Sequence, residues 1–353
     1  MDVYITMAFN RLIAEYFRSA MTYTVLVTAR KLAEQGKELL DREGCRTLFL
    51  EAAGDAAEVE AILSREKIDA VISRTVDLSA RAIAACPSLK VVSKHGVGVS
   101  NIDVQACTAR NIPVFVTPGA NAQSVAEMTL GLLLAAARGI AHMDGEIRAQ
   151  RWTRLQNGME LKGRTLGLVG FGQVGRLVAR FCQVLGMQVL AYDPYADAGV
   201  EKEGVERVSD LNALLDRSNI LSLHIPLTPA TRRLIGAAQL ARLPEGSILV
   251  NTARGEVVDE CALVDALASG RLAAAGLDTT VDEPLALDSP LRRMHNVVLT
   301  PHVGGSTHAA LAAMALGAAQ NILDYLKHGA LPQDRVVNIK NLKNTTHGEI
   351  DVR

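Results

Sequence analysis

From Tyr23 onward the chain alternates short apolar runs with amphipathic stretches. TVLVTAR (24–30), CRTLFLEA (45–52), DAVISRT (69–75), LKVVSKHG (89–96) and PVFVTPG (113–119) read as strands. KLAEQGKELLDREG (31–44) and EVEAILSREK (58–67) carry the wider spacing of helices. After a long helix predicted over about 121–139 and a polar segment, HMDGEIRAQRWTRLQNGMELKG (142–163), the alternation resumes with TLGLVGFG (165–172). VGRLVARFCQVLG (174–186) follows as a helix, and MQVLAYD, ILSLHIP, SILVNTARG, AAAGLDTT and NVVLTPH follow as strands. Strands that are apolar throughout, separated by helices, predict parallel α/β organisation. Two such blocks joined by a long helix predict two doubly wound domains with a ligand cleft between them.

Length agrees: 353 residues suit two domains, each with its own core. With 37 basic and 38 acidic residues the formal net charge is -1, and no long basic run occurs. That points away from nucleic acid and from an anionic membrane surface as partners. The five cysteines (45, 86, 107, 182, 261) are odd in number, widely spaced and without a C-x-x-C. They suggest neither a disulfide framework nor a zinc site, so the expectation is a reducing, cytoplasmic setting with no metal. The most apolar stretch, VAEMTLGLLLAAAR (125–138), contains Glu127 and closes on Arg138, which fits a buried helix rather than a membrane span. Residues 1–20 place Arg11, Glu15 and Arg18 where a signal peptide needs an apolar core. Residues 1–22 are read as an extension, a loose amphipathic helix or an appendage ahead of a second methionine, Met21.

The first chemical motif is G-F-G-Q-V-G, with Gly170, Gly172 and Gly175 at dinucleotide-loop spacing. Its context makes it specific: a strand before it, a helix after it, and a second strand ending in Asp193, 18 residues beyond Gly175. Gly170 suits the tight turn, Gly172 lets backbone N–H groups reach a pyrophosphate, and Gly175 lets helix and strand pack closely. The helix N-terminus adds partial positive charge. A carboxylate at Asp193 accepts hydrogen bonds from ribose hydroxyls and repels a 2′-phosphate, and PYADAG after it offers no arginine. NAD is expected over NADP.

Three residues then follow three strands: Arg254 in NTARG, Glu283 (with Asp278) in GLDTTVDEP, and His302 in LTPHVGG. Residues beyond the carboxyl ends of strands in an open α/β sheet can converge on one crevice. Each has an ordinary structural reading as well: a surface ion pair, a helix-terminal charge and a core histidine. Oxidation of a 2-hydroxy acid needs a hydride to leave C2 while the hydroxyl loses a proton. A histidine is a residue type suited to that proton transfer, a neighbouring carboxylate orients it, and arginine's planar fork fits a carboxylate.

Six motifs, HGVGVSNID (95–103), SVAEMTLGLLL (124–134), LKGRTLGLVGFGQVGR (161–176), NTARGEVVDE (251–260), GLDTTVDEP (276–284) and LTPHVGGST (299–307), occur in one order. In them the chain resembles the D-isomer-specific 2-hydroxyacid dehydrogenases, in their phosphoglycerate dehydrogenase and glyoxylate/hydroxypyruvate reductase branch. The resemblance covers about 23–338 and implies a Rossmann NAD domain (121–302) inserted in a flavodoxin-like substrate domain (23–120 and 303–338), with 339–353 as a tail. It implies Arg254 as the substrate-binding arginine, His302 as the acid/base that also contacts substrate, and Glu283 as its carboxylate partner. Gln173, Val174, Pro226, Thr252, Ala253, Asp278 and Gly304 would join the glycine loop and Asp193 around NAD, Asp278 at the nicotinamide carboxamide. Val97 and Gly98 would offer backbone N–H groups to the substrate carboxylate, with Arg74 beside them. The partner is then a small 2-hydroxy or 2-keto acid, and the assembly a homodimer pairing through the helix after Asn121 and the segment around Trp152.

Glu283 argues against a formate dehydrogenase, which places glutamine beside the histidine. A phosphite dehydrogenase and an NAD-binding corepressor of the same fold remain alternatives. Among substrates, 3-phosphoglycerate and hydroxypyruvate or glyoxylate lead, and Arg74, Lys94 and His95 are the candidates to meet a phosphate or second carboxylate. Lys94–His95 is the first suspect for specificity. About fifteen residues follow Asn338, so feedback through an added regulatory domain is not expected.

Overall fold

The structure is a computed structural model that describes residues 23–52, 54–154, 157–196 and 203–343. The expected extension over 1–22 and most of the expected tail lie outside the described residues. The chain divides into two units, 1–121 with 308–353, and 122–307. The second is therefore an insertion in the first.

The first unit holds β1 (Thr24–Val27), β2 (Arg46–Phe49), β3 (Ala70–Ser73), β4 (Val91–Lys94) and β5 (Val114–Phe115). They pair in parallel in the order β2-β1-β3-β4-β5, which reverses direction between β1 and β3. β3 and β4 are buried at every position, as a sheet covered on both faces requires. The helices between them start where a short acceptor side chain can cap them: Asp55 accepts from Ala57 and Glu58, Ser79 from Ala82, and Asp103 from Ala106. The 21-residue helix His308–His328 is by length and composition apolar enough to cross a membrane. Within its unit it is a core helix, with Ala315, Ala318, Ala319 and Ile322 packed among Val25, Val27 and Phe115.

The second unit holds β6 (Thr165–Val169), β7 (Gln188–Tyr192), β8 (Glu206–Arg207), β9 (Ile220–Leu223), β10 (Ser247–Asn251), β11 (Leu272–Leu277) and β12 (Val297–Leu299). All pair in parallel in the order β12-β11-β10-β9-β6-β7-β8. The switch point lies between β6 and β9, where the crossovers diverge and leave a crevice at the carboxyl ends of the strands. The helix Ala122–Arg138 buries Leu132, Leu133, Ala136 and Ala137 in this unit's core. Each of these strands except β8 was legible as an apolar run. β8 has two exposed residues, Glu206 and Arg207, and nothing apolar to announce it. The polar segment after the long helix contains a further helix, Ile140–Arg148, that buries none of its residues. Its apolar residues, Ile140, Met143 and Ile147, have helical spacing but stand among polar ones, and the stretch read as a polar segment.

Candidate active site

The glycine loop lies where β6 ends. Gly170 has φ +96°, and a Cβ on it would stand 2.5 Å from the carbonyl oxygen of His224. Only glycine fits that turn. A Cβ on Gly175 would stand 2.4 Å from the Gly170 oxygen, so the helix Gln173–Val184 sits directly on the loop. A Cβ on Gly172, by contrast, would meet nothing within 4 Å. Gly172 is also the N-cap of that helix and has no side chain to satisfy its first N–H groups. A tight turn, an open approach and uncapped donors together fit a pyrophosphate.

Asp193 follows β7. Its Oδ2 accepts from Phe171 N–H and its Oδ1 from Tyr195 N–H, each at 2.9 Å. Each oxygen keeps a second lone pair for a ribose hydroxyl. Pro226 is exposed just beyond β9, and its carbonyl accepts from the Thr231 hydroxyl at 2.7 Å. Thr252 is buried after β10, its hydroxyl 2.8 Å from that of Thr129.

The other expected residues follow β10, β11 and β12, which are neighbours in the sheet. Asn251, the last residue of β10, shapes the NTARG loop with both ends of its amide. Its Oδ1 accepts from Ala253 N–H at 3.0 Å, and its Nδ2 donates to the Arg254 carbonyl at 2.9 Å. Sequence reasoning did not single it out. The Arg254 guanidinium donates through Nη1 to the Ala253 carbonyl at 2.5 Å, which leaves the rest of its fork for a ligand. The next residue, Gly255, touches the loop that bears Glu283: a Cβ there would stand 2.0 Å from the Thr280 carbonyl carbon. The loops of Arg254 and Glu283 are thus in backbone contact.

His302 has a left-handed backbone, φ +54°, which costs a non-glycine residue about 1–2 kcal/mol. Asp278 holds it there. The Asp278 carbonyl accepts from His302 N–H at 2.8 Å. Its Oδ1 accepts from the Thr300 hydroxyl at 2.6 Å and from Val303 N–H at 2.9 Å, and its Oδ2 from Gly304 N–H at 2.8 Å. Asp278 is 2% exposed. A buried carboxylate that accepts three hydrogen bonds, each contributing about 1.5–3 kcal/mol, is first of all the anchor of the His302 loop.

The anchored loop sets His302 Nδ1 2.7 Å from Glu283 Oε2, and Glu283 Oε1 accepts from Thr280 N–H at 3.2 Å. Burial alone raises the Glu283 pKa. The His302 hydrogen bond and charge, the Thr280 N–H and the Arg254 charge outweigh it, and the net shift is downward. Glu283 is therefore ionised at neutral pH. The pairing it supports is present above the ordinary glutamate range and is lost as pH falls through the lowered value.

The remaining expected residues belong to the other unit. Val97 is exposed and Gly98 half-buried, and among the described residues neither N–H has a hydrogen-bond partner. Arg74 is half-buried at the end of β3, and burial lowers its pKa. Among the described residues its guanidinium has no hydrogen bond or ion pair. Lys94 and His95 stand differently. Lys94 is buried and donates to the Arg74 carbonyl and, at 2.5 Å, to Asn101 Oδ1. His95 is 7% exposed with Nε2 3.2 Å from the Leu311 carbonyl. Burial, then the charge of Arg74, push its pKa down to about 4, so it is neutral at pH 7. The expectation that Lys94–His95 leads in specificity is corrected accordingly: both are committed to their own fold, and Arg74 is the uncommitted cation. Among the described residues no cluster of His, Cys, Asp or Glu could hold a metal ion.

A family model described as the D-isomer specific 2-hydroxyacid dehydrogenase, NAD binding domain, matches residues 130–304. A D-3-phosphoglycerate dehydrogenase of Archaeoglobus fulgidus is 37% identical over 324 residues, 90% of this chain and 60% of that protein. The chain thus spans about 60% of the length of that relative. A glyoxylate reductase of Korarchaeum cryptofilum is 39% identical over 320 residues, 88% of this chain and 95% of that protein. The crystal structure of a glyoxylate reductase from Paecilomyes thermophila superposes with a TM-score of 0.80 at 28% identity, covering 90% of this chain and 99% of that one.

Proposed function

The chain belongs to the D-isomer-specific 2-hydroxyacid dehydrogenases, and on that premise we propose that it interconverts a D-2-hydroxy acid and its 2-keto acid with NAD. The observation that carries the proposal is the His302–Glu283 pair at 2.7 Å, built on a strand neighbouring the one that presents Arg254. When bound, NAD supplies the acceptor for the hydride that leaves C2. The residues that would hold it are Gly170, Gly172, Gln173, Val174, Gly175 and Asp193, with Pro226, Thr252, Ala253, Asp278 and Gly304 around the nicotinamide half.

The chain's own residues handle the proton and the carboxylate. With Glu283 ionised, His302 keeps a proton on Nδ1 and offers Nε2 as the base. Taking the hydroxyl proton at Nε2 makes an imidazolium beside a carboxylate, a charge pair formed as the reaction proceeds. In the reverse direction the same Nε2–H donates to the keto oxygen. Arg254 binds the substrate carboxylate and draws charge onto the C2 oxygen. The Val97 and Gly98 N–H groups, which have no acceptor among the described residues, suit a carboxylate.

Between the leading substrates, Arg74 decides our reading. A half-buried guanidinium that has no partner among the described residues favours a second anionic group on the substrate, as in phosphohydroxypyruvate. The test is an NADH-oxidation panel of phosphohydroxypyruvate, hydroxypyruvate, glyoxylate and pyruvate with the wild type and Arg74→Met. The variant is expected to raise KM for phosphohydroxypyruvate about 10-fold or more and to leave glyoxylate within about twofold. Equal effects on both would remove Arg74 from the distal end of the substrate.

The five free cysteines, four of them buried, fit a cytoplasmic setting. A homodimer accounts for the helix Ile140–Arg148, none of whose residues is buried and which exposes Ile140 and Ile147, and for Trp152, four residues beyond its end and 78% exposed. Sedimentation should show a dimer, and Ile147→Glu/Trp152→Glu should shift it to monomer. A wild type that sediments as a monomer at micromolar concentration would end that reading.

A further inference from the structure

We infer that Asn101 is a positioning residue for substrate selectivity: its amide fixes the backbone from which Arg74 meets a second anionic group on a 2-keto acid. The inference rests on the reading above that Arg74 takes that group.

Every residue concerned lies in one unit, and the set gathers where β3 and β4 end. Arg74 follows β3, and its backbone is held on both sides of its Cα. Its N–H donates to Thr28 Oγ1 at 2.9 Å. Its carbonyl accepts from Asn101 Nδ2 at 3.1 Å and from the Lys94 ammonium. Asn101 Nδ2 also donates to the Val76 carbonyl at 2.7 Å and to Ser73 Oγ at 3.1 Å, so one amide grips the chain before, at and after Arg74. Its Oδ1 accepts from Lys94 Nζ at 2.5 Å. The amide can face only one way, because the carbonyls only accept and the ammonium only donates. Aspartate has the shape but no donors, and leucine has neither group.

With N–H and carbonyl both fixed, the Cα–Cβ bond of Arg74 keeps one direction, and the guanidinium starts from a set point. The Asn101 backbone does not need the amide. Its carbonyl accepts from Leu78 N–H at 2.8 Å, and Ile102 N–H donates to the Val99 carbonyl at 2.9 Å. Thr117 holds the other end of this loop: its N–H donates to the Gly96 carbonyl at 2.9 Å, and its Oγ1 accepts from Gly96 N–H at 3.0 Å. Loss of the amide therefore loosens the Arg74 segment and leaves the Val97 and Gly98 N–H groups in place. A substrate with one carboxylate uses only those N–H groups. A substrate with a second anionic group spans the loop and Arg74, so it alone depends on their register.

The test is steady-state reduction of phosphohydroxypyruvate and of glyoxylate with NADH by the wild type, Asn101→Ala, Arg74→Met and the double variant. Alanine removes the amide and adds no charge near an anion. Asn101→Ala is expected to raise KM for phosphohydroxypyruvate about tenfold and to leave glyoxylate within about twofold. In the Arg74→Met background the same substitution should move neither KM by more than about twofold, since no guanidinium is left to place. That non-additivity is what a general loosening of the fold would not produce. Asn101→Ser, too short to reach both carbonyls, serves if the alanine variant does not fold, and should show the same selectivity at smaller size. Equal rises for both substrates, an additive loss in the double variant, or a folded Asn101 variant with unchanged KM overturns the inference and leaves Arg74 in its role. An unchanged KM for phosphohydroxypyruvate in Arg74→Met, or a wild type that does not reduce it, would instead overturn the reading of Arg74, and this inference with it.

Discussion

Replacing His302 with alanine should lower turnover by about 100-fold or more in both directions while NAD affinity stays within about twofold. The ring contributes to the chemistry and not to the fold. It is exposed, its one side-chain partner among the described residues is Glu283, and the loop around it is held by Asp278 through the His302 backbone and its neighbours. The truncation therefore removes the proton carrier and leaves the loop in place, apart from the small cost of alanine at φ +54°. Single-turnover rates separate this outcome from a binding defect. A second consequence follows for Glu283. Its carboxylate is held down chiefly by His302, so in the alanine variant burial dominates and its pKa should rise, which carboxyl NMR can follow. Activity that survives nearly intact would mean that another group carries the proton and would sink the mechanism.

How much of this was legible depended on which residues announce themselves. The strand ends did: Asp193, Arg254, Glu283 and His302 each follow an apolar run, and the sheet order puts the last three on adjacent strands. The glycine loop did too, because its strand, helix and acid stand in sequence around it. The partners of these groups did not. Nothing in GLDTT says that the carboxylate of Asp278 turns to hold the His302 loop, since that depends on contacts across 22 to 26 residues of chain. Asn251 is invisible for the opposite reason: its partners are backbone atoms two and three residues on, which any sequence possesses. Lys94 and His95 misled because charge suggests exposure, whereas β4 continues to be buried through Lys94 and the chain pairs both side chains internally.

Arg254→Lys should cost about 30- to 100-fold in kcat/KM for every 2-keto acid, with much of the loss in KM. The substitution keeps the charge and removes the planar fork, so it isolates geometry from electrostatics. In the wild type one arm of that fork is spent on the Ala253 carbonyl, which fixes the plane in which the remaining N–H groups face a carboxylate. A lysine ammonium on a flexible stem has no such plane, and it must choose between the Ala253 carbonyl and the ligand. The surrounding backbone does not depend on the head group. Asn251 shapes the loop from within, and the contact of Gly255 with Thr280 sets its distance from the Glu283 loop. Melting temperature should accordingly move by no more than about 2 °C, the scale of a surface substitution. The pH profile should also keep its shape, because the His302–Glu283 pair is untouched. An unchanged KM for glyoxylate and hydroxypyruvate would place the substrate carboxylate elsewhere. A loss accompanied by a shifted pH profile would mean that Arg254 acts through Glu283, whose carboxylate it helps to keep ionised, and not through the substrate.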